Sequence, residues 1–367
     1  MQKSEMSTTT PPQDIILKID NLSVAYRSRR GMVRAVSNVS IDLRKGDILA
    51  LIGESGSGKT TLGLALVRML ARAAEIPQGE ILYTRDGKTR SVLAMSQDEL
   101  RDFRWHDCAM VFQGSQNAFN PVLRIRDQFL DTARAHGKSD PKWVKARTLE
   151  LFKLVRLDPQ RVYDSYPHEL SGGMKQRTLL ALGALLDPQV MILDEPTTAL
   201  DILTQRTVID VLRDMQKRLN FSIIFISHDL GIAAELANRV ATMYAGEVVE
   251  IGSVEQLFYQ PLHPYTLGLL QSIPRLSNPY QDELKSIPGE PPNMIDPPSG
   301  CKFHPRCPFA TEKCQTDAPP LVEYAPGHQA ACWYTERVIE ARQDLYGTRP
   351  DTSAVDGKSA STEGEAV

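Results

Sequence analysis

Residues 53–60 read Gly-Glu-Ser-Gly-Ser-Gly-Lys-Thr, and no other stretch limits the fold of this chain as tightly. The Gly-x-x-x-x-Gly-Lys-Thr spacing belongs to a loop whose successive backbone N–H groups wrap a phosphate. Its flanks fit that reading. The run Asp47, Ile48, Leu49, Ala50, Leu51, Ile52 reads as a buried strand, and residues 61–68 read as a helix. The order strand, glycine loop, helix aims the positive end of a helix at an anion. Gly53, Glu54, Ser55, Gly56, Ser57, Gly58, Lys59, Thr60 and Thr61 are therefore expected to hold a nucleoside triphosphate. Lys59 would reach the β- and γ-phosphates, and the Thr60 hydroxyl would ligate Mg²⁺.

With 367 residues, the chain has room for one large domain and a smaller appendage. Its 42% hydrophobic and 24% charged residues are those of an ordinary globular protein. A net charge of −3 gives no basic field for nucleic acid, so no nucleic-acid partner is expected. No apolar run approaches the ~18–20 residues that cross a bilayer, and residues 1–14 are polar and Thr/Pro-rich, unlike a secretory signal. The expected place is the cytoplasm, peripheral to the cytoplasmic face of the membrane if other chains hold it there.

The pattern along the chain predicts strands over 15–26 and 35–43, then a capping box at Ser96 and Glu99 that opens a helix toward Trp105. From about 98 to 168 the sequence reads as an inserted helical subdomain, with Pro121, Pro141 and Pro159 as punctuation. Continuous apolar runs at 190–193 and 222–226 read as buried parallel strands, alternating with helices at 174–186 and 203–219. Residues 239–244 and 247–251 read as a closing hairpin, and the sequence beyond 262 turns Pro-rich and irregular. A tail from 347 reads as disordered.

Five further motifs carry chemistry. The strand at 190–193 ends in Asp194 and Glu195, adjacent carboxylates suited to hold Mg²⁺ and to polarise a water. Ser171, Gly172 and Gly173 stand where an N-cap and two open backbone amides can receive a phosphate. Gln113 follows Val111 and Phe112, Asp201 follows Thr197 and Thr198, and His228 directly follows the strand ending at Ser227. In this order and spacing the chain resembles the ATP-binding cassette (ABC) ATPases over roughly residues 16–262. The resemblance implies an α/β fold: a P-loop, RecA-like core with an antiparallel β subdomain and an inserted helical subdomain. It implies that Glu195 polarises the attacking water, that Gln113 touches Mg²⁺, that His228 contacts the γ-phosphate, that Asp194 helps hold Mg²⁺, and that Tyr26 stacks on adenine. Asp201 matches the family's D-loop aspartate. Met174 departs from the glutamine common at its position, but leaves Ser171 and the two glycines as donors. The family also implies a head-to-tail pair of cassettes, because Ser171 of one closes on ATP held by Lys59 of another.

Five cysteines are present; Cys108 stands alone, while Cys301, Cys307, Cys314 and Cys332 follow the spacing C-x5-C-x6-C-x17-C. With His263, Pro264, Tyr265, Thr266 and with Gly289, Glu290, Pro291, Pro292, this segment resembles the C-terminal extension of oligopeptide/dipeptide importer ATPases, set here at 263–336. A C-terminal helix and tail follow over 337–367. Four thiolates suit zinc or an iron–sulfur group. The absence of short C-x2–4-C knuckles speaks against zinc, and members of the resembled subfamily can carry a [4Fe-4S] cluster. Zinc and free thiols stay open as alternatives, as do His304 and His328 as further ligands. The thiolates would staple a segment with too few apolar residues for a core of its own. Cys108 reads as a small buried hydrophobe. The resemblance implies two membrane-spanning permease subunits, a second ATPase subunit and an extracytoplasmic solute-binding protein as partners. Its cargo would be a di- or oligopeptide, or else an oligosaccharide, a nickel complex or glutathione. A soluble ABC ATPase of DNA repair or translation is the alternative of another class.

Overall fold

The computed structural model describes residues 15–114, 118–198, 200–272 and 286–346; the polar residues 1–14 and the tail from 347 lie outside them. Two sheets meet at the glycine loop. β1 (Ile15–Ser28) and β2 (Gly31–Arg44) pair antiparallel; the loop then links β3 (Ile48–Ile52) to α1 (Lys59–Leu66), and β4 (Ala74–Arg85) and β5 (Lys88–Ser91) complete a four-stranded sheet in the order β2-β1-β4-β5. Alternating burial along β1 leaves one face on a core and the other in water, as an antiparallel sheet allows. α2 (Gln97–His106) begins at the expected capping box, with Ser96 and Glu99 each satisfying the other's backbone N–H.

The helical reading of 98–168 needs correction at its start. Cys108–Val111 is a strand, β6, and it pairs in parallel with β7 (Val190–Asp194) at one edge of the second sheet. Leu100 and Phe103 of α2 pack with the antiparallel-sheet core, Phe103 edge-on to Tyr83 with ring centroids 5.2 Å apart. The helical layer is α3 (Ile125–Ala135), α4 (Pro141–Leu154) and α5 (Pro159–Asp164). Pro141 and Pro159 punctuate by opening helices: each sits at N1, behind the capping carboxylates of Asp140 and Asp158. The rings of Phe129 and Phe152 join α3 to α4 at 5.2 Å, and α4 packs on α6 (Gly172–Gly183), tying this layer to the main core.

The second sheet continues through α7 (Ile202–Leu219), β8 (Ser222–Ile226), α8 (Leu230–Leu236), β9 (Arg239–Tyr244) and β10 (Glu247–Ser253). Every residue of β3, β7 and β8 is buried, because helices cover both faces of a parallel sheet. Then come α9 (Val254–Tyr259), α10 (Pro264–Gln271), α11 (Glu312–Thr316), β11 (Val322–Ala325), β12 (His328–Ala330) and α12 (Thr335–Tyr346). The full strand order is β11-β12-β10-β9-β3-β8-β7-β6.

β11 and β12 overturn the picture of an extension fastened by its thiols alone. β12 pairs with β10 at Glu250–Ala330 and Ile251–Gln329, so the extension lengthens the catalytic sheet and covers its edge. Phe303, 3% exposed, enters the main core. Lys302 reaches Glu247 at 2.8 Å. Glu250, with no exposure, accepts hydrogen bonds from Leu262 N at 2.8 Å, His263 N at 3.0 Å and His328 Nε2 at 2.8 Å. Burial pushes the His263 imidazole down to about 3, so its neutral Nδ1 accepts from Tyr265 N and caps α10.

Glu250 is thus the buried clasp between extension and core. Glu250→Ala, which strands two backbone donors and a histidine, should cost about 3 kcal/mol of unfolding free energy. His328→Ala leaves the carboxylate its two amides and should cost about half as much. Urea unfolding of the full chain measures both, and equal losses would contradict this division of roles.

Candidate functional site

The glycine loop is formed by close approach. A Cβ on Gly53 would stand 2.2 Å from the Met243 carbonyl oxygen of β9, and one on Gly58 would stand 2.2 Å from the Ala35 carbonyl oxygen of β2. Both positions have positive φ, +148° and +100°, which only glycine adopts without strain. Gly58 is the N-cap of α1. The loop opens on a pocket of about 600 Å³, part of it open solvent, lined among others by Ser55, Gly56, Gly58, Lys59, Thr60 and Thr61 from the loop and by Gln113 and Glu195 from other strands' ends.

Lys59 is buried, and its Nζ donates to Gly53 O at 2.7 Å, Glu54 O at 2.9 Å and Ser57 Oγ at 3.2 Å. Burial holds its pKa below that of an ordinary lysine, while Glu195, Asp194 and Glu54 pull the other way. Thr60 Oγ1 donates to Asp194 Oδ1 at 3.1 Å. Asp194 ends β7 almost wholly buried, and that desolvation lifts its pKa above the usual carboxylate range against the Thr60 hydrogen bond. A hydroxyl and a carboxylate paired at the pocket edge are the oxygen donors that Mg²⁺ takes.

Glu195 is the point of convergence. Gln113 Nε2 donates to its Oε2 at 2.8 Å, Thr198 Oγ1 donates to the same oxygen at 2.9 Å, and His228 Nδ1 lies 3.1 Å from Oε1. The backbone at Glu195 has φ +47°, a left-handed conformation that costs a non-glycine residue about 1 kcal/mol. It is held by Glu195 N donating to Ile226 O at 3.0 Å. Its side chain is 15% exposed and that of His228 is 60% exposed, so the carboxylate is shielded and the imidazole faces the opening.

Other expected site residues lie apart from the pocket. Ser171 accepts from Met174 N at 3.3 Å and caps α6; Asp201 accepts from Thr204 N at 3.0 Å and caps α7. A Cβ on Gly173 would stand 2.4 Å from Thr204 Cγ2, which brings the two caps together. Neither cap nor Gly172 lines the phosphate pocket. Tyr26, two residues before the end of β1, has its hydroxyl 3.4 Å from Thr61 Oγ1, beside the loop. Glu54, grouped by sequence with the phosphate binders, turns its carboxylate away to Arg306, at 2.7 and 3.0 Å. Tyr265 Oη accepts from Glu54 N at 2.8 Å. Arg306 and Tyr265 are the residues the sequence reading did not place at this site. No spacing rule relates positions more than two hundred residues apart.

Cys301, Cys307, Cys314 and Cys332 line one pocket, with Phe303, Phe309, Trp333 and His304. Cys301 N donates to Cys314 O at 2.9 Å, and a Cβ on Gly300 would meet that same carbonyl at 2.5 Å, so backbone contact closes the loop. None of the four is in a disulfide. Burial pushes the Cys307 thiol up to about 11 and the Cys332 thiol up to about 12. Among the described residues no group of three or more His, Cys, Asp or Glu side chains is placed to hold a metal ion. Of the two alternative ligands, His304 lines this pocket, and His328, bonded to Glu250, does not. Cys108 is buried in β6 and does not line this pocket.

Residues 36–198 match the family model of the ABC transporter, and residues 249–314 match that of the oligopeptide/dipeptide transporter, C-terminal region. The dipeptide transport ATP-binding protein DppD of Caldanaerobacter subterraneus is 42% identical over 87% of this chain and 96% of its own length. The oligopeptide transport ATP-binding protein OppD of Bacillus subtilis is 37% identical over 87% of this chain and 88% of its own. The dimeric, post-hydrolysis structure of an ATP-binding cassette bound to ADP and Pi is 24% identical, with a TM-score of 0.57 over 65% of this chain and 99% of that one, which supports the shared fold. No helix among the described residues is long and apolar enough to cross a membrane. The chain belongs to the oligopeptide/dipeptide family of ABC transporter ATP-binding subunits and is an ABC-type ATPase.

Proposed function

We propose that this chain hydrolyses ATP to power import of di- or oligopeptides, seated on the cytoplasmic face of a membrane complex. The convergence of Gln113, Thr198 and His228 on Glu195, beside the Lys59–Thr60 loop, carries the hydrolytic half of this reading. The extension's match and the names of the relatives carry the peptide half. Its partners are a second ATPase subunit, two permease subunits and an extracytoplasmic solute-binding protein.

Residues 53–61 cradle the triphosphate with backbone N–H groups, and Lys59 exchanges its loop carbonyl partners for β- and γ-phosphate oxygens. Thr60, Asp194 and Gln113 would hold Mg²⁺, whose charge offsets that building on the phosphates. Tyr26 stacks on adenine. Glu195 accepts a hydrogen bond from the attacking water; the water oxygen bonds to the γ-phosphorus as the β–γ bridging bond breaks, leaving ADP and phosphate. His228, on the open side of Glu195, touches the γ-phosphate. Ser171, Gly172 and Gly173 stand off the pocket of their own chain, which suits a site closed by the signature loop of the second subunit, with Asp201 at that junction.

For the extension we propose a [4Fe-4S] cluster held by Cys301, Cys307, Cys314 and Cys332. Their convergence on one apolar pocket supports a four-thiolate group. Since burial alone favours the protonated thiols, binding would release protons.

Glu195→Gln keeps side-chain volume and removes the base, so ATPase activity of the assembled complex should fall at least ~100-fold while ATP binding persists. In a strain lacking the chromosomal gene, the parent chain should restore uptake of labelled di- or oligopeptide and the Glu195→Gln chain should not. Near-normal turnover would remove Glu195 as base, and restored ATPase without peptide uptake would remove peptide as cargo. Anaerobically purified protein should carry about four irons. Serine at 301, 307, 314 or 332 should each lower iron content, and Cys108→Ser should not. One zinc per chain, or no metal, would replace the cluster.

A further inference from the structure

Arg306 is the most completely bonded side chain linking the extension to the nucleotide loop, and hydrolysis as set out above does not use it. Its side chain is 5% exposed. All its guanidinium nitrogens are engaged: Nε with Pro288 O at 2.8 Å, Nη1 with Glu54 Oε2 at 2.7 Å and Tyr244 Oη at 3.4 Å, Nη2 with Glu54 Oε1 at 3.0 Å and Ile287 O at 3.5 Å. The bond to Glu54 is the two-pronged arginine–carboxylate fork, the strongest and most directional ion pair available to side chains. The far end of the arginine is anchored in the extension's own backbone, so the fork has a fixed base.

Glu54 is held a second time through its backbone. Its N–H donates to Tyr265 Oη, and the Tyr265 ring lies 4.6 Å from Tyr244 and 5.4 Å from Phe303, centroid to centroid. The second residue of the phosphate loop is thus fixed at main chain and side chain by elements outside the loop. The pair also decides a charge. Glu54 O accepts from Lys59 Nζ at 2.9 Å, so this carboxylate is carried by a residue that the phosphate-binding lysine already touches. Left unpaired there, it would repel a triphosphate.

We propose that Arg306 is a positioning residue of the ATP site, which fixes the phosphate loop through Glu54 and cancels the carboxylate that would otherwise oppose the nucleotide. The extension then braces the phosphate loop at Glu54 without lining the pocket itself. This rests on reading residues 53–60 as that pocket.

The test is titration of the full-length chain with a fluorescent N-methylanthraniloyl-ATP, alongside its thermal midpoint. Arg306→Met should raise the dissociation constant about tenfold by leaving a partly exposed carboxylate unpaired on the phosphate loop. Arg306→Lys keeps the charge but loses the fork, and should fall between. Adding Glu54→Gln to Arg306→Met removes the opposing charge and should return affinity to within about twofold of the parent. A residue that merely anchors the extension would lower the thermal midpoint, leave affinity unmoved and gain nothing from Glu54→Gln. Unchanged affinity in Arg306→Met and Arg306→Lys, or a loss that Glu54→Gln does not recover, overturns the proposal. Lys59→Ala is the separate control: if it binds the nucleotide like the parent, the pocket assignment fails instead.

Discussion

The structure depends on a crowded seam. Gly58 presses on the Ala35 carbonyl of the antiparallel sheet, and Gly53 presses on the Met243 carbonyl of the parallel one. The phosphate loop is therefore where the two sheets touch, with Gly246 N donating to Ser57 O at 3.0 Å to close the third side. A side chain at either glycine would push two sheets apart rather than disturb one turn. Loop shape is fixed by packing behind it, so its backbone donors need little reorganisation to receive phosphate.

That fixed loop organises the charges around it. Lys59 and Asp194 are both buried, and burial disfavours the charged form of each. They are tolerable only because each is bonded, Lys59 to loop carbonyls and Asp194 to Thr60. Glu195 completes the arrangement from a left-handed backbone position, with three side chains directing its two oxygens. The adjacent carboxylates so divide by environment: the buried Asp194 faces the Thr60 hydroxyl, and Glu195 faces the exposed histidine.

Much of this was legible in the sequence because local rules decided it. Val190–Asp194 and Ser222–Ile226 are strands over the residues their apolar runs indicate, since full burial on both faces demands such runs. Ser96 and Glu99 form the capping box their spacing announces. The misreadings occurred where tertiary contacts override local pattern. Cys108–Val111 is four residues long and flanked by helices, and only its parallel neighbour Val190–Leu193 makes it a strand. The segment beyond 262 looked unable to form a core because its apolar residues are sparse. Phe303 and Tyr265 instead borrow the main core through Tyr244. Arg306 and Glu54 carry no periodic signal that could link them, and they meet where the extension, its β12 aligned on β10, packs Phe303 into the main core.

The same alignment explains why the extension and the nucleotide loop form one mechanical unit. Glu250 fastens the start of α10 and β12 to the sheet, α10 delivers the Tyr265 hydroxyl to the loop backbone, and the turn from Cys301 to Cys307 delivers Arg306 to its side chain. That turn carries two of the four thiols, and its backbone is closed on Cys314. Sheet pairing and the buried clasp attach the extension, and the turn that carries two of the thiols also carries the arginine that grips the Glu54 side chain.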